Sequence, residues 1–342
     1  MIKQRPGLAL RPYSVPSTGL PVDLRLDGNE GSRPDPSLFE ALVPDPAVLR
    51  AYPDARPLEA RLGRRFGVAP DRVVVAAGAD EVLDRLCRAF LAPGRTAVLP
   101  TPGFEMLERY AALAGADVVS PSWPGGPFPV DAVLAAPRPS LIAVTSPNNP
   151  TGAAASTADV LALADARPDA LILLDAAYVE FADEDPTAAV LGRPNVVVVR
   201  TLSKAWGLAG LRVGFALGPP DVVNALRCAG SPYPVGALSL SLAAARLDQE
   251  PAMRRFVDVV RRERTALATS LVEAGFDVEP SQANFVFARG ADPEAFCVAL
   301  ARRGIAIRRF PGRPGLEDAI RIACPGDVVS FARLLDAIEA VR

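Results

Sequence analysis

The run "TLSKAWGLAGLRVGFALG", residues 201–218, follows the apolar segment "NVVVVR" and leads through a glycine-rich turn into a second apolar segment. It contains Lys204, which with Lys3 makes up all the lysines of a chain that has 37 Lys and Arg residues together. An ammonium group can lose its proton near neutral pH when its surroundings favour the loss, whereas a guanidinium cannot. We therefore interpret Lys204 as a nucleophilic amine at the end of a strand. The alternative is an exposed charge at the start of a helix.

Short apolar runs alternate with helical runs on both sides of this segment. Examples are "RVVVAAG", "ADEVLDRLCRAFLA", "TAVLP", "FEMLERYAALAG" and "LIAVTSP". The strands are continuously apolar rather than alternating, which is typical of a mainly parallel sheet covered by helices on both faces. The pattern predicts a three-layer, doubly wound α/β fold.

The pattern changes near residue 240, where two long amphipathic helices precede several short strands. We predict a large α/β domain over residues 45–240 and a smaller α+β domain over residues 241–342. Residues 1–44 are rich in proline and are predicted to form an arm that joins the small domain and packs on a neighbouring chain.

Composition excludes several classes of function. The net charge of -2 and the pI near 5.5 argue against nucleic acid and anionic membranes as partners. No stretch of 18 apolar residues lacks a charge, proline or glycine, and the amino terminus does not resemble a signal peptide. The chain has no histidine, which excludes Ser-His-Asp catalysis and His-ligated metal sites, and we expect no metal.

The cysteines indicate a compartment. Cys87, Cys228, Cys297 and Cys324 lie far apart, without a CxxC pair. This spacing fits reduced thiols better than a disulfide framework or a zinc site, so we expect a cytoplasmic protein.

Polar residues follow four of the predicted strands, and ligands of open α/β sheets bind at such carboxyl ends. Gly78, Ala79 and Asp80 open a helix whose free amides favour a phosphate, although a glycine here is also ordinary turn chemistry. "PNNPTG" forms a rigid turn from which Asn149 can donate into a cleft, although prolines and asparagines also simply make turns. The first and second of these ends are therefore ambiguous when each is taken alone.

The third and fourth strand ends carry more distinctive groups. Asp175 ends the apolar run "LILLD", with Tyr178 three residues later, and such an Asp is either a functional carboxylate or a helix cap. "TLSK" follows the fourth strand, and Arg212 beyond it offers a fork for an oxyanion. Together the four ends supply a phosphate site, an amide, a carboxylate, a phenol and an amine. This is the set of groups that holds pyridoxal phosphate.

Motifs along nearly the whole chain carry a family resemblance. They are "LDGNE", "AYPD", "GADE", "SPNNPTG", "LLDAAYVEF", "NFVF" and "AIRI", together with the run quoted at the start. With them the chain resembles the fold-type I pyridoxal-phosphate-dependent aminotransferases of class I/II, and most closely their histidinol-phosphate aminotransferase-like branch.

The resemblance implies roles for individual residues. Lys204 forms the Schiff base and carries the proton, Asp175 binds the pyridine nitrogen, and Asn149 and Tyr178 bind the ring hydroxyl. The implied cofactor-binding residues are Tyr52 from the other subunit, Gly78, Ala79, Asp80, Phe104, Asn149, Asp175, Tyr178, Thr201, Ser203, Lys204 and Arg212. Arg321 is implied to grip the substrate carboxylate, with Asn284 and Arg308 in the same cleft.

We therefore expect a homodimer with shared active sites that moves an amino group between an L-amino acid, or an amine resembling histidinol phosphate, and a 2-oxo acid. A decarboxylase, a lyase or an oxidase on the same scaffold is the alternative. A non-catalytic binding protein is disfavoured because both Lys204 and Asp175 are present, and a Rossmann-like module because no GxGxxG follows the first strand.

Overall fold

The computed structural model of the chain describes residue 15, residues 17–40 and residues 46–342. Lys3 and part of the predicted arm lie outside the described residues. Among the described residues, no helix combines the length and the apolar character needed to cross a membrane.

The strands are β1 (Leu24–Arg25), β2 (Val73–Ala76), β3 (Thr96–Val98), β4 (Asp117–Val119), β5 (Pro139–Thr145), β6 (Leu171–Asp175), β7 (Val196–Thr201), β8 (Gly214–Leu217), β9 (Asp277–Glu279), β10 (Phe285–Arg289), β11 (Ile305–Ala306), β12 (Arg308–Arg309) and β13 (Ala319–Ala323). The helices are α1 (Ser37–Glu40), α2 (Pro46–Arg50), α3 (Arg56–Phe66), α4 (Ala79–Phe90), α5 (Glu105–Ala114), α6 (Val130–Leu134), α7 (Thr157–Ala166), α8 (Thr187–Val190), α9 (Pro220–Ala229), α10 (Ala237–Leu247), α11 (Glu250–Glu273), α12 (Pro293–Ala301) and α13 (Val328–Glu339).

The large sheet has the strand order β2-β8-β7-β6-β5-β3-β4. Strand β8 runs antiparallel to both of its neighbours, and the remaining pairs are parallel. The register pairs Thr145 with Asp175 and Asp175 with Val199, so β5, β6 and β7 end at one edge. The sheet confirms the predicted α/β fold with mainly parallel strands.

Both faces of this sheet are buried against helices, which explains the continuously apolar strands. On β6, Ile172 and Leu174 pack into one hydrophobic cluster with α3, α7 and α10, while Leu171 and Leu173 pack into another with α4, α5 and α9. Successive strand residues point to opposite faces, so each strand contributes to both clusters.

The edge strand β2 is tied to two helices by one buried carboxylate. Glu59 of α3 accepts a 3.0 Å hydrogen bond from the amide of Val75, and Arg227 of α9 donates to it at 2.9 Å. Burial of this carboxylate is compensated by its cation and by the backbone donor.

The carboxyl-terminal part forms a smaller antiparallel sheet, β12-β13-β10-β9, against which α11 packs. Strand β1 pairs in parallel with β11, joining Leu24 to Ile305. The backbone of Leu26 bonds Ala306 at 2.8 Å and Ala323 at 2.9 Å. Residues 24–26 are thus attached to the carboxyl-terminal part, and the domain boundaries at residues 44 and 240 stay predictions.

Candidate active site

A cavity of about 440 Å³ lies at the carboxyl ends of β5, β6 and β7. Of the predicted site residues, these line it: Ala79, Asp80, Phe104, Asn149, Asp175, Tyr178, Thr201, Ser203, Lys204, Arg212 and Arg321. Gly78 adjoins it at the start of α4. The fold therefore brings together groups that are far apart in sequence.

One end of the cavity is built from backbone amides and a guanidinium. Gly78 has a φ of 86°, and a Cβ atom there would lie 2.6 Å from Nη2 of Arg212. A Cβ atom on Gly214 would lie 2.3 Å from the amide nitrogen of Ala79. Arg212 Nη2 in turn donates to Asp80 at 3.0 Å. The two glycines allow α4 and Arg212 to approach closely enough to form an anion site.

Two hydroxyl groups lie between this end and the lysine. The Thr201 hydroxyl donates to the Ser203 hydroxyl at 2.9 Å and accepts from the Ser203 amide at 3.1 Å. Both side chains are buried, so the turn that carries Lys204 is fixed by its own hydrogen bonds.

Asp175 supplies a carboxylate at the base of the cavity. Its side chain is buried, with 4% of the residue exposed, and Oδ1 accepts a 3.2 Å hydrogen bond from the amide of Ala177. Burial raises the pKa of Asp175 to about 7, against the lowering effect of that hydrogen bond and of the Lys204 charge. A ligand that presents an N–H group here would restore the ionised form.

Lys204 and Tyr178 face the cavity together. Nζ of Lys204 donates to the carbonyl of Gly28 at 3.1 Å and lies 5.5 Å from the centroid of the Tyr178 ring. The Tyr178 hydroxyl accepts a 3.1 Å hydrogen bond from Nδ2 of Asn29. We did not predict Gly28 or Asn29 as site residues, although both belong to the "LDGNE" motif.

Arg321 lies at the opposite end, on β13. Its Nη1 donates to Oδ1 of Asn149 at 2.5 Å, and Nη2 donates to the carbonyl of Asp27 at 2.8 Å. Arg308 is its register partner on β12. Both arginines line a side pocket of about 40 Å³ next to Phe104, and Arg313 lines it too.

Four predicted residues do not line the large cavity within this chain: Gly78 and Arg308, which adjoin it as described above, and Asn284 and Tyr52. Asn284 is fully buried, and its Nδ2 donates to the carbonyls of Asn29 at 3.2 Å and Glu30 at 3.4 Å. Tyr52 is 80% exposed and stacks on Tyr233 with ring centroids 4.5 Å apart. Their predicted contacts with substrate and with the neighbouring subunit's cofactor stay predictions.

The donor set fits pyridoxal phosphate. Burial raises the pKa of the Asp175 carboxylate, so a cationic group beside it would stabilise its ionised form, and the glycines at α4 leave room for an anion beside Arg212. An amine and a phenol lie between them. Within residues 15, 17–40 and 46–342, no group of His, Cys, Asp or Glu side chains could hold a metal ion.

Comparison with known proteins agrees with this chemistry. The sequence model of the family "Aminotransferase class I and II" matches residues 44–338. The histidinol-phosphate aminotransferase of Ruegeria pomeroyi is 35% identical over 330 residues, which cover 93% of this chain and 91% of that protein. The aromatic amino acid aminotransferase of Thermobifida fusca is 36% identical over 318 residues, 90% of this chain and 88% of that protein.

A solved structure shows the same fold. The histidinol-phosphate aminotransferase of Sinorhizobium meliloti, in complex with pyridoxal-5'-phosphate, superposes with a TM-score of 0.87 at 24% identity and covers 100% of this chain and 99% of that one. The resemblance read from the motifs is confirmed. The chain belongs to the class I and II aminotransferases, and it is a pyridoxal-phosphate-dependent enzyme of fold type I.

Proposed function

We propose that this aminotransferase uses Lys204 as its amine and proton carrier, with Asp175 on the pyridine nitrogen and with Tyr178 and Asn149 at the ring hydroxyl. The observation that carries the proposal is that Lys204 and the buried Asp175 line one cavity together with Arg212 and Arg321. When bound, pyridoxal phosphate supplies an aldehyde that reacts with amines and a ring that takes up electrons from the substrate's α carbon.

The chain's own groups prepare this chemistry. A protonated ring nitrogen would stabilise the ionised form of Asp175, because a carboxylate buried without a cation is costly, and the carboxylate would hold that proton on the nitrogen. Lys204 Nζ, which donates to the Gly28 carbonyl, would take a proton from the substrate and return it to a neighbouring carbon. Phe104, which lines the cavity, would stack against the ring.

The phosphate group is proposed to bind at α4. The amides of Ala79 and Asp80 would bind the anion together with Ser203 and Arg212, and Thr201 orients the Ser203 hydroxyl. The Gly78 amide instead donates to the carbonyl of Ala76 at 2.8 Å, so Gly78 contributes its conformation rather than a free donor. The salt bridge from Arg212 to Asp80 keeps the guanidinium beside these amides.

The substrate's anionic group is proposed to bind Arg321. Arg308 lies on the adjacent strand, and the side pocket beside them is also lined by Arg313 and Glu105. A carboxylate or a phosphate is the ligand for such a concentration of guanidinium groups. The names of the relatives support either an aromatic amino acid or a phosphorylated amine such as histidinol phosphate.

We further propose a cytoplasmic homodimer in which Tyr52 reaches the phosphate of the neighbouring subunit's cofactor. Support comes from the exposure of Tyr52 and from four free cysteines, of which Cys87, Cys297 and Cys324 are buried. Asn284 is proposed to border the substrate from behind the loop of residues 29–30.

A single half-reaction screen tests the proposed reaction. Holoenzyme is mixed with single amines, including histidinol phosphate, aromatic amino acids, glutamate and aspartate, and absorbance reports conversion to pyridoxamine phosphate. At least one donor should give full conversion and an equal amount of 2-oxo acid or, from histidinol phosphate, ketone product. Carbon dioxide release or oxygen consumption without pyridoxamine phosphate would contradict transamination and favour a decarboxylase or an oxidase.

A further inference from the structure

Asn29 is a buried residue that lines the cavity. The proposed mechanism assigns it no contact with the cofactor or the substrate. Its residue exposure is 1%, and its φ of 57° lies in the left-handed region that asparagine tolerates better than most residues. Nδ2 donates to the Tyr178 hydroxyl at 3.1 Å. The amide therefore contacts a residue proposed to touch the cofactor.

The direction of this hydrogen bond constrains the phenol. A tyrosine hydroxyl has one proton and two acceptor positions, and an amide NH₂ group can only donate. Because Asn29 fills one acceptor position of Tyr178, the phenol's single proton is left for a different acceptor. Tyr178 lines the cavity, so its hydroxyl can donate that proton to a ligand bound there.

The backbone around Asn29 is held in place from two sides. Nδ2 of Asn284 donates to the carbonyls of Asn29 and Glu30, and the Asn284 carbonyl in turn accepts from the amide of Cys324 at 2.9 Å. On the other side, Gly31 packs so closely on the lysine turn that a Cβ atom would lie 1.8 Å from the carbonyl oxygen of Lys204. Asn29 is thus fixed relative to both Tyr178 and Lys204.

We infer that Asn29 is a positioning residue that directs the Tyr178 hydroxyl to donate its proton to the cofactor's ring oxygen. The inference rests on the proposed role of Tyr178. A hydrogen bond donated to that oxygen draws off negative charge and weakens its hold on the proton that the bound cofactor shares with the Lys204 nitrogen. Asn29 therefore lowers the pH at which the absorption of the bound cofactor changes.

The test is a pH titration of the holoenzyme's visible absorption in four proteins: wild type, Asn29→Gly, Tyr178→Phe and the double variant. Glycine adopts a positive φ freely, so Asn29→Gly removes the amide and leaves the backbone conformation available. We expect Asn29→Gly to raise the titration midpoint by about 0.4 to 1 pH unit, the worth of one hydrogen bond. In the Tyr178→Phe background, the same substitution should add no shift.

Each other outcome overturns the inference. An unchanged midpoint, or an equal shift in both backgrounds, would make Asn29 structural only. A lowered midpoint would mean that Tyr178 donates to Asn29, with the amide reversed. If Asn29→Gly binds cofactor too weakly to titrate, the cycle is measured on cofactor dissociation constants. A loss of cofactor affinity on Asn29→Gly that occurs only when Tyr178 is present supports the inference. An equal loss in the wild-type and Tyr178→Phe backgrounds refutes it.

The proposed function is tested separately by the wild-type protein. A wild type that shows no cofactor band, or no conversion with any amine, would refute the proposed function. If the wild type shows the cofactor band and converts an amine, but Asn29→Gly has an unchanged titration midpoint, only the role of Asn29 is refuted.

Discussion

The side-chain amine of Lys204 donates a 3.1 Å hydrogen bond to the backbone carbonyl of Gly28, a residue 176 positions earlier in the chain. The contact holds the amine inside the cavity, where it faces Tyr178. A lysine placed in this way is available to a carbonyl ligand.

Borohydride treatment of the holoenzyme should attach the cofactor permanently to Lys204, because reduction of the imine between them prevents its hydrolysis. Peptide mass spectrometry should find the adduct on Lys204 and none on Lys3. An adduct on Lys3, or no adduct at all, would contradict the central assignment. Lys204→Ala is the control and should remain unlabelled.

Asp175→Asn should stabilise the cofactor-free protein at pH 8. The pKa of Asp175 is raised by burial to about 7, above its usual value of 3.8. The unfolded state then loses its proton at lower pH than the folded state, so the free energy of unfolding falls as pH rises from about 4 to 7. Asp175→Asn removes the ionisable group, so the variant does not lose stability in this way as the pH rises.

Melting curves of the cofactor-free proteins at pH 5 and pH 8 check this prediction. The variant should melt a few degrees above wild type at pH 8, with a smaller difference at pH 5. Asp54→Asn is the control, since Asp54 is exposed and Arg56 lowers its pKa. The prediction fails if both variants behave alike. With cofactor bound, Asp175→Asn should lose activity by orders of magnitude.

Gly214→Ala should weaken cofactor binding by about tenfold or more, since the added methyl group would lie 2.3 Å from the amide nitrogen of Ala79 and would push α4 away from β8. Gly210→Ala is the matched control because nothing lies within 4 Å of its Cβ position. Cofactor dissociation constants from fluorescence titration provide the measurement. Equal constants for the two variants would count against a phosphate site at α4.

Arg321→Ala should reduce kcat/KM roughly 30-fold or more, because the loss of a bidentate charged contact costs about 2 to 5 kcal/mol. The absorption of the bound cofactor should be retained. Arg309→Ala, on the neighbouring strand and paired with Glu294, is the control. Unchanged kcat/KM across a panel of amine donors would move the anion site to another residue, and Arg308 would be tested next.

Tyr52→Ala and Lys204→Ala chains, each inactive alone, should restore activity when they are mixed and allowed to exchange subunits. A heterodimer combines both lesions in one site and leaves the other site intact, so random mixing should recover about one quarter of wild-type activity. Confirmed exchange without recovery would indicate a site built from a single chain.

The sequence was most informative where function depends on a strand end. Asp175 and Lys204 each follow an apolar run, and parallel strands bring such ends to one edge regardless of the loops between them. The α/β pattern was clear for the same reason, because strands buried on both faces are continuously apolar.

Contacts between distant backbone segments could not be predicted from the sequence. The placement of Asn29 beside Tyr178 depends on the pairing of Leu24 with Ile305 and on the Asn284 amide, neither of which leaves a local pattern. The exposed stacking of Tyr52 on Tyr233 could not be predicted either, because these residues lie far apart in the sequence and no local pattern joins them.

The strand order has a consequence for synthesis on the ribosome. Asp80, beside the edge strand β2, and its partner Arg212, beside β8, are 132 positions apart. At typical translation rates, Asp80 is synthesised roughly 7 to 26 seconds before Arg212. During that interval the apolar strand "VVVA" lacks its sheet neighbour β8, and the growing chain is exposed to mispairing and to chaperones. Residues 24–31 wait longer still, until β11 and β13 have been translated.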